Sequence, residues 1–97
     1  MRVITGSARG RKLLTLERTD VRPTTDIGKE AMFSIIQFDI PGARVLDLFG
    51  GTGQLGIEAL SRGAKSAVFV DAQENAFRLI RENLKRTKLE NEGRVVR

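Results

Sequence analysis

Apolar residues in this chain fall into short runs, and the spacing within each run predicts a secondary structure. Two β-prone runs, at residues 3–4 and 13–16, flank a glycine-containing turn and predict a hairpin. A helix is predicted to begin near Thr25 or Asp26, either of which can cap it, and to end before Pro41. Its apolar positions recur at helical spacing: Ile27, Ala31, Met32, Ile35, Ile36 and Phe38.

From residue 43 onwards the pattern alternates between strands and helices. Strands are predicted at residues 44–48 and 67–70, with a third opening at 94–97, and helices at 54–62 and 73–86. Strands that alternate with helices through short connections form a parallel sheet with right-handed crossovers. The sequence therefore predicts an α/β fold in two regions, a hairpin and helix at 1–42 and the strand–helix repeat at 43–97.

Composition excludes several kinds of chemistry. Because the chain has no cysteine and no histidine, it has no disulfides, thiolate nucleophiles or imidazole bases, and we predict no metal site. No apolar run approaches the roughly 20 residues that a membrane span needs. The first residues also lack the apolar stretch of a signal peptide. We therefore expect no membrane partner and a cytoplasmic location.

The net charge is +5, and the cations gather in two clusters. The first cluster is Arg2, Arg9, Arg11, Lys12, Arg18 and Arg22, and the second is Arg78, Arg81, Lys85, Arg86 and Lys88. Excess positive charge favours binding to polyanions, because binding releases their counterions. A solvated basic surface is the alternative, and charge alone does not separate the two.

The stretch VLDLFGGTGQLG at residues 45–56 carries the candidate chemistry. Glycines directly after a buried strand let the backbone turn sharply and approach a ligand closely. The helix that follows presents unpaired N–H groups and the positive end of its dipole. Asp71, at the tip of the next predicted strand, follows Gly53 by 18 positions, close to the spacing at which an acid accepts hydrogen bonds from ribose hydroxyls.

Residues 51–56 also fit the G-x-G-x-x-G pattern of a dinucleotide site. Two features oppose that interpretation. Asp47, Leu48 and Phe49 separate the strand from the glycines, and the Asp47 carboxylate would repel a pyrophosphate. An acid at this position suits S-adenosylmethionine (SAM), which carries an ammonium and a sulfonium. SAM is therefore favoured, while a dinucleotide and a purely structural turn stay as alternatives.

Residues 47–53, DLFGGTG, and their continuation LGIEALSRGA resemble motif I of the bacterial 16S rRNA guanine-N2 methyltransferases, the RsmD-like family. The start of the chain is similar too, through MRVI, GRKL, RPTTD and KEAMF. The resemblance extends over essentially all 97 residues. It implies the first half of a Rossmann-like SAM-dependent methyltransferase fold, with sheet order 3-2-1.

The resemblance also implies a function and a set of site residues. The reaction would be methyl transfer from SAM to the exocyclic amine of a guanine, in free 16S rRNA or in the small ribosomal subunit. The implied cofactor residues are Asp47, Phe49, Gly50, Gly51, Gly53 and Asp71, with Thr24 and Asp26 near the methionine end. The cations implied to face RNA are Arg2, Arg9, Arg11, Lys12 and Arg22.

Enzymes of this type hold the acceptor amine with an Asp/Asn-Pro-Pro-Tyr/Phe loop after strand four, where the aromatic ring stacks on a flipped base. This chain has only Pro23 and Pro41, and no tyrosine, so we identify no catalytic residue and expect it to be inactive alone. Without strand four, strand one becomes an exposed edge. A C-terminal half or a second copy is expected to cover it. The remaining hypotheses are an enzyme part, a non-catalytic SAM- or RNA-binding module, and a misfolded or swapped assembly.

Several other side chains are given structural interpretations. Four phenylalanines are expected in the core: Phe33, Phe38, Phe69 and Phe77. Glu58 could act as an acid or base, but a solvated helix face is the simpler interpretation. Asn83 and Glu82 lie in the middle of a predicted helix and are expected on the surface.

Overall fold

The computed structural model describes residues 2–15, 26–48 and 51–97. The elements within these ranges are α1 (Asp26–Ile36), a 3₁₀ turn (Gln37–Asp39), β1 (Arg44–Leu48), α2 (Gln54–Ser61), β2 (Ser66–Val70), α3 (Glu74–Arg86) and β3 (Gly93–Val96). Every strand and helix predicted beyond residue 43 is confirmed, with each end within one residue of its expected position.

The three strands form a parallel sheet in the order β1-β2-β3, which confirms the predicted topology. The register of β1 on β2 runs from Arg44 opposite Ser66 to Leu48 opposite Val70. The carboxyl ends of the two strands therefore lie side by side at one edge of the sheet. In open α/β folds this is the edge where ligands bind.

The hydrophobic core lies on one face of the sheet. Successive strand residues point to opposite faces, and in β2 the buried residues are Ala67 and Phe69. On the other face, Leu46 and Leu48 of β1 remain 63% and 58% exposed. One face of the sheet is thus packed against helices while the other presents apolar side chains to solvent.

Gly56 lets α2 approach the sheet closely. A Cβ atom at this position would lie 2.3 Å from the ring of Phe69, so any side chain would force the helix and β2 apart. The third glycine of the G-x-G-x-x-G pattern commonly serves such helix–strand packing. Here its contact is with the protein core.

Phe38 is 90% exposed, so the prediction that it belongs to the core is wrong. The apolar face inferred for α1 points outward, with Ile27 and Ile35 81% and 84% exposed. The buried face of α1 instead carries Lys29 and Phe33, four positions apart, at 0% and 2% exposure. Helical periodicity in apolar residues missed this face because a lysine occupies half of it.

Two of the other phenylalanines behave as expected, since Phe33 and Phe69 are buried, whereas Phe77 is only partly buried. The predicted hairpin is a short antiparallel turn at residues 2–12, the N-terminal turn. In it Arg2 and Lys12 form a backbone β-bridge, and the Val3 amide donates to the Arg11 carbonyl at 3.0 Å.

Among the described residues, no helix is long and apolar enough to cross a membrane.

Candidate functional site

Parallel pairing brings the two predicted acids to the same edge of the sheet. Asp47 lies opposite Phe69 near the end of β1, and Asp71 directly follows β2. The glycine loop that contains Gly51 and Gly53 connects β1 to α2 at this edge. The structure therefore places together Asp47, Gly51, Gly53 and Asp71.

The Asp71 carboxylate holds the glycine loop in place. One of its oxygens accepts a hydrogen bond from the Gly51 amide at 3.3 Å, and the other accepts from the Gln73 amide at 3.0 Å. Because an ionised carboxylate has about four acceptor positions, both oxygens keep capacity for ligand hydroxyls. Asp71 can thus order the loop and bind a ribose at the same time.

The Asp47 carboxylate binds the N-terminus of α2. Its Oδ2 accepts a hydrogen bond from the Gly56 amide at 3.2 Å, which satisfies one of the free N–H groups of the first helical turn. Gly53 precedes the helix with a left-handed φ of +82° and supplies no side-chain cap. A carboxylate from β1 therefore takes the position at which a dinucleotide fold would bind pyrophosphate.

The pKa of Asp47 is raised above its ordinary value. Burial is the largest cause, the negative charge of Asp71 adds to it, and the Gly56 hydrogen bond opposes both. Two carboxylates held close together in a partly buried site favour a cation between them. A perturbed acid of this kind is typical of functional sites.

A further acceptor lies beside the loop at the first residue of α2. Gln54 is 5% exposed, and among the described residues its side-chain oxygen accepts no hydrogen bond. Buried acceptors are rarely left without a partner. Because this acceptor is enclosed, the groups that suit the amine and hydroxyl groups of SAM are the two carboxylates and the glycine cradle.

Asn83 is fully buried, so the prediction that it lies on the surface is wrong. Its amide oxygen accepts from the Leu14 amide at 2.7 Å, and its amide nitrogen donates to the carbonyls of Leu14 at 3.0 Å and Thr52 at 2.9 Å. The signal that could have found it is its position on the buried stripe of α3, three residues after Ile80. Glu82 behaves as expected and is exposed.

Glu58 is also fully buried, which overturns its assignment to a solvated helix face. Its carboxylate accepts from the Ile4 and Thr5 amides at 2.8 and 3.0 Å and pairs with Lys29 at 3.5 Å and Arg62 at 2.9 Å. It therefore fastens α1 and the N-terminal turn to α2. The apolar residues Ile57, Ala59 and Leu60 that surround Glu58 in α2 are buried with it, and they are the local signal for its burial.

The cations predicted to face RNA lie on the exposed surface of the N-terminal turn: Arg2, Arg9, Arg11 and Lys12. Arg2, Arg9 and Glu30 line a pocket of about 320 Å³. Four predicted site residues lie outside the described residues: Arg22, Thr24, Phe49 and Gly50. Asp26 begins α1, and its cofactor contact stays a prediction.

Comparison with a solved structure identifies the class of protein. The chain superimposes on "Putative methyltransferase yhhF from Escherichia coli" with a TM-score of 0.88 and 38% identity, covering 99% of this chain and 51% of that one. The three-stranded parallel sheet and its helices are thus about half of the Rossmann-like fold of a methyltransferase.

Sequence comparison then gives the family. All of residues 1–97 match the family described as "Conserved hypothetical protein 95", and the chain belongs to this family, the RsmD family. It is 47% identical over 97 residues to "Putative rRNA methyltransferase YlbH" of Bacillus subtilis, covering 53% of that protein. It is 40% identical over 96 residues to ribosomal RNA small subunit methyltransferase D of Escherichia coli, covering 99% of this chain and 48% of that protein. The chain spans about half the length of these relatives.

Proposed function

We propose that this chain is the SAM-binding part of a methyltransferase that modifies the exocyclic N2 amine of a guanine in 16S rRNA. The observation that carries the proposal is the position of two carboxylates beside the glycine loop: Asp71 accepts from the Gly51 amide, and Asp47 accepts from the Gly56 amide. The names of the relatives support the rRNA substrate. An rRNA substrate, free or in the small subunit, also implies a cytoplasmic location.

Each residue of the site has a distinct part in holding the cofactor. When bound, SAM supplies the methyl group on its sulfonium. Asp71 accepts hydrogen bonds from the ribose hydroxyls, and Asp47 offers negative charge to the ammonium. The loop glycines keep the backbone close to the ligand, while Asp47 on the α2 N-terminus disfavours a pyrophosphate and hence a dinucleotide.

Replacing Asp71 by alanine is expected to weaken SAM binding about ten- to a hundredfold. The change removes a charged acceptor worth roughly 1.5–3 kcal/mol and also frees the Gly51 amide. Calorimetric titration with SAM measures the effect. Glu74→Ala is the matched control, because Glu74 is an exposed acid in the first turn of α3. Equal affinity of Asp71→Ala and the parent, with the fold intact, would contradict the assignment of the cofactor site.

Replacing Asp47 by asparagine is expected to increase stability at neutral pH and to weaken SAM binding. Because the pKa of Asp47 is raised in the folded state, the folded state binds a proton more readily than the unfolded state. Ionised Asp47 therefore lowers the free energy of unfolding above the raised pKa, and this cost disappears as pH falls through it. The stability advantage of Asp47→Asn should shrink over the same pH range.

Acid should stabilise the fold of the parent but weaken its binding of SAM, because protonated Asp47 no longer attracts the ammonium. In the parent, affinity decreases as pH falls through the raised pKa, and in Asp47→Asn this part of the pH dependence is absent. Urea denaturation and calorimetry at matched pH values measure the two effects. A parent whose affinity does not weaken more steeply with acid than that of Asp47→Asn would show that Asp47 does not face the cation.

Two cationic surfaces are proposed to contact RNA. The first is the N-terminal turn. The second is a groove of about 400 Å³ whose charged lining residues are the cations Arg81, Lys85 and Arg94 and the acid Glu90. Other cations of α3 are engaged elsewhere, since Arg78 pairs with Glu74 at 3.1 Å and Arg86 with Glu82 at 3.9 Å. The cations within α3 thus divide into the ion-paired Arg78 and Arg86 and the groove residues Arg81 and Lys85.

Replacing Arg9, Arg11 and Lys12 together by alanine is expected to flatten the salt dependence of 16S rRNA binding. Each lost phosphate contact removes about one counterion from the slope, so the triple variant should lose up to roughly three. Alanine at Arg78 and Arg86, which are already ion-paired, is the control and should change the slope little. If the triple variant keeps the parental slope, these cations serve solubility and not binding.

A further inference from the structure

Asn83 joins two segments that are distant in sequence. It binds both the amide and the carbonyl of Leu14, at 2.7 and 3.0 Å, much as a neighbouring strand would. The same amide nitrogen donates to the carbonyl of Thr52 at 2.9 Å. Thr52 lies in the glycine loop, and Leu14 follows the basic N-terminal turn, so one side chain holds both.

The glycine loop depends on contacts from outside itself. Thr52 stands between Gly51 and Gly53, whose φ values are +59° and +82°. Glycines have more conformations to lose than other residues, so such a loop is costly to order. Asp71 fixes it through the Gly51 amide, and Asn83 fixes it through the Thr52 carbonyl.

The Asn83 side chain is well suited to be a rigid anchor. It is 0% exposed and lies on the buried stripe of α3, and it uses three of its four hydrogen-bonding positions on these two segments. A buried amide has few alternative partners, because leaving its polar atoms unpaired is costly. A displacement of the loop would therefore disturb the hydrogen bonds that Asn83 makes to Leu14, and a displacement of Leu14 would disturb its hydrogen bond to the loop.

We propose that Asn83 is a positioning residue that couples cofactor binding at the glycine loop to the order of the backbone at Leu14, which follows the N-terminal turn. This inference rests on the proposed function, because it requires that SAM or its product binds at the glycine loop. Binding of a cofactor that orders the loop should therefore also reduce the motion of the backbone at Leu14. By thermodynamic linkage, RNA that orders the N-terminal turn should strengthen cofactor binding by the same factor.

Two variants in α3 separate positioning from general stability. Asn83→Asp keeps the shape and the acceptor for the Leu14 amide, but it sets a carboxylate oxygen against the carbonyls of Leu14 and Thr52. Thr87→Ala is the control, because Thr87 caps the C-terminus of α3 and its buried hydroxyl, among the described residues, bonds only the α3 carbonyls of Asn83 and Leu84. We expect S-adenosylhomocysteine to bind Asn83→Asp about tenfold or more weakly and Thr87→Ala with nearly parental affinity.

Hydrogen exchange at the Leu14 amide gives the readout that a merely structural role would not change. In the parent, saturating S-adenosylhomocysteine should slow this exchange severalfold, and in Asn83→Asp the slowing should be lost at saturation. A parent that binds S-adenosylhomocysteine with unchanged exchange at Leu14 would overturn the coupling and leave the proposed function standing. A parent that does not bind it would overturn both. If Asn83→Asp fails to fold, the parental exchange measurement decides alone.

Discussion

Replacing Glu58 by alanine is expected to lower the free energy of unfolding by about 3–5 kcal/mol, the usual cost of removing one partner from a buried ion pair. Lys29 is as fully buried as Glu58, and among the residues that the structure describes its ammonium would keep only the Arg2 carbonyl, at 2.9 Å. The Ile4 and Thr5 amides would also lose their acceptor. Since small domains are stable by only about 5–15 kcal/mol, a large share of the total is at risk.

Urea denaturation followed by circular dichroism measures this loss, because the chain has no tryptophan or tyrosine to report by fluorescence. Glu82→Ala is the control: Glu82 forms an i,i+4 pair with Arg86, as Glu58 does with Arg62, but on an exposed face. Its removal should change stability by no more than about 0.5 kcal/mol. If both variants are equally stable, the buried network contributes little.

The double variant Lys29→Met, Glu58→Leu tests the physical reason for the loss. Apolar residues that replace both partners of a buried ion pair often match or exceed its stability, since no charge is left without a counter-charge. Here recovery should be partial, because the Ile4 and Thr5 amides still lack an acceptor and the Arg62 guanidinium still lacks its carboxylate. A double variant as unstable as Glu58→Ala would assign the loss to these amides and to Arg62, and not to Lys29.

The elements beyond residue 43 could be predicted because local patterns specify them. Short apolar runs mark β1 and β2, the first followed by the glycine loop and the second by Asp71, and the parallel topology brings Asp47 and Asp71 to one edge. The candidate cofactor site is therefore accessible to sequence reasoning. It depends on strand ends and turns, which are encoded locally.

The buried polar residues could not be predicted in the same way. Glu58 and Asn83 bind backbone groups 54 and 69 positions away, and nothing in their local sequence identifies these partners. Lys29 breaks the apolar pattern of α1, so the periodic residues indicate the exposed face. Hydrophobic periodicity detects burial only where burial is apolar. Val3, Ala8 and Leu13 do enter the hydrophobic core, but the contacts made by Glu58 and Asn83 are polar.

The 97-residue chain alone is expected to show no methyl transfer to 16S rRNA. In the proposed function the ends of β1 and β2 hold the donor, but the 97 residues contain no Asp/Asn-Pro-Pro-Tyr/Phe loop to hold the acceptor amine. Positioning two reactants can supply roughly 7–11 kcal/mol of a barrier, or about 10⁵- to 10⁸-fold in rate. An exocyclic amine depends on this positioning more than on a strong base, so its loss should abolish detectable turnover.

The assay uses labelled SAM and small subunits that lack the modification, with ribosomal RNA small subunit methyltransferase D of Escherichia coli as the positive control. That relative matches this chain over 48% of its length, so it tests whether the remaining half supplies the acceptor site. SAM binding by the chain, measured in parallel, should persist, because the residues proposed to hold the donor are present. We also expect the edge of β1 to be covered by a C-terminal half or by a second copy, since Leu46 and Leu48 leave it flanked by exposed apolar surface. Turnover by the purified chain, in the absence of any other protein, would show that residues of this chain hold the acceptor. The proposal that one half binds the donor and the other half binds the acceptor would then be wrong.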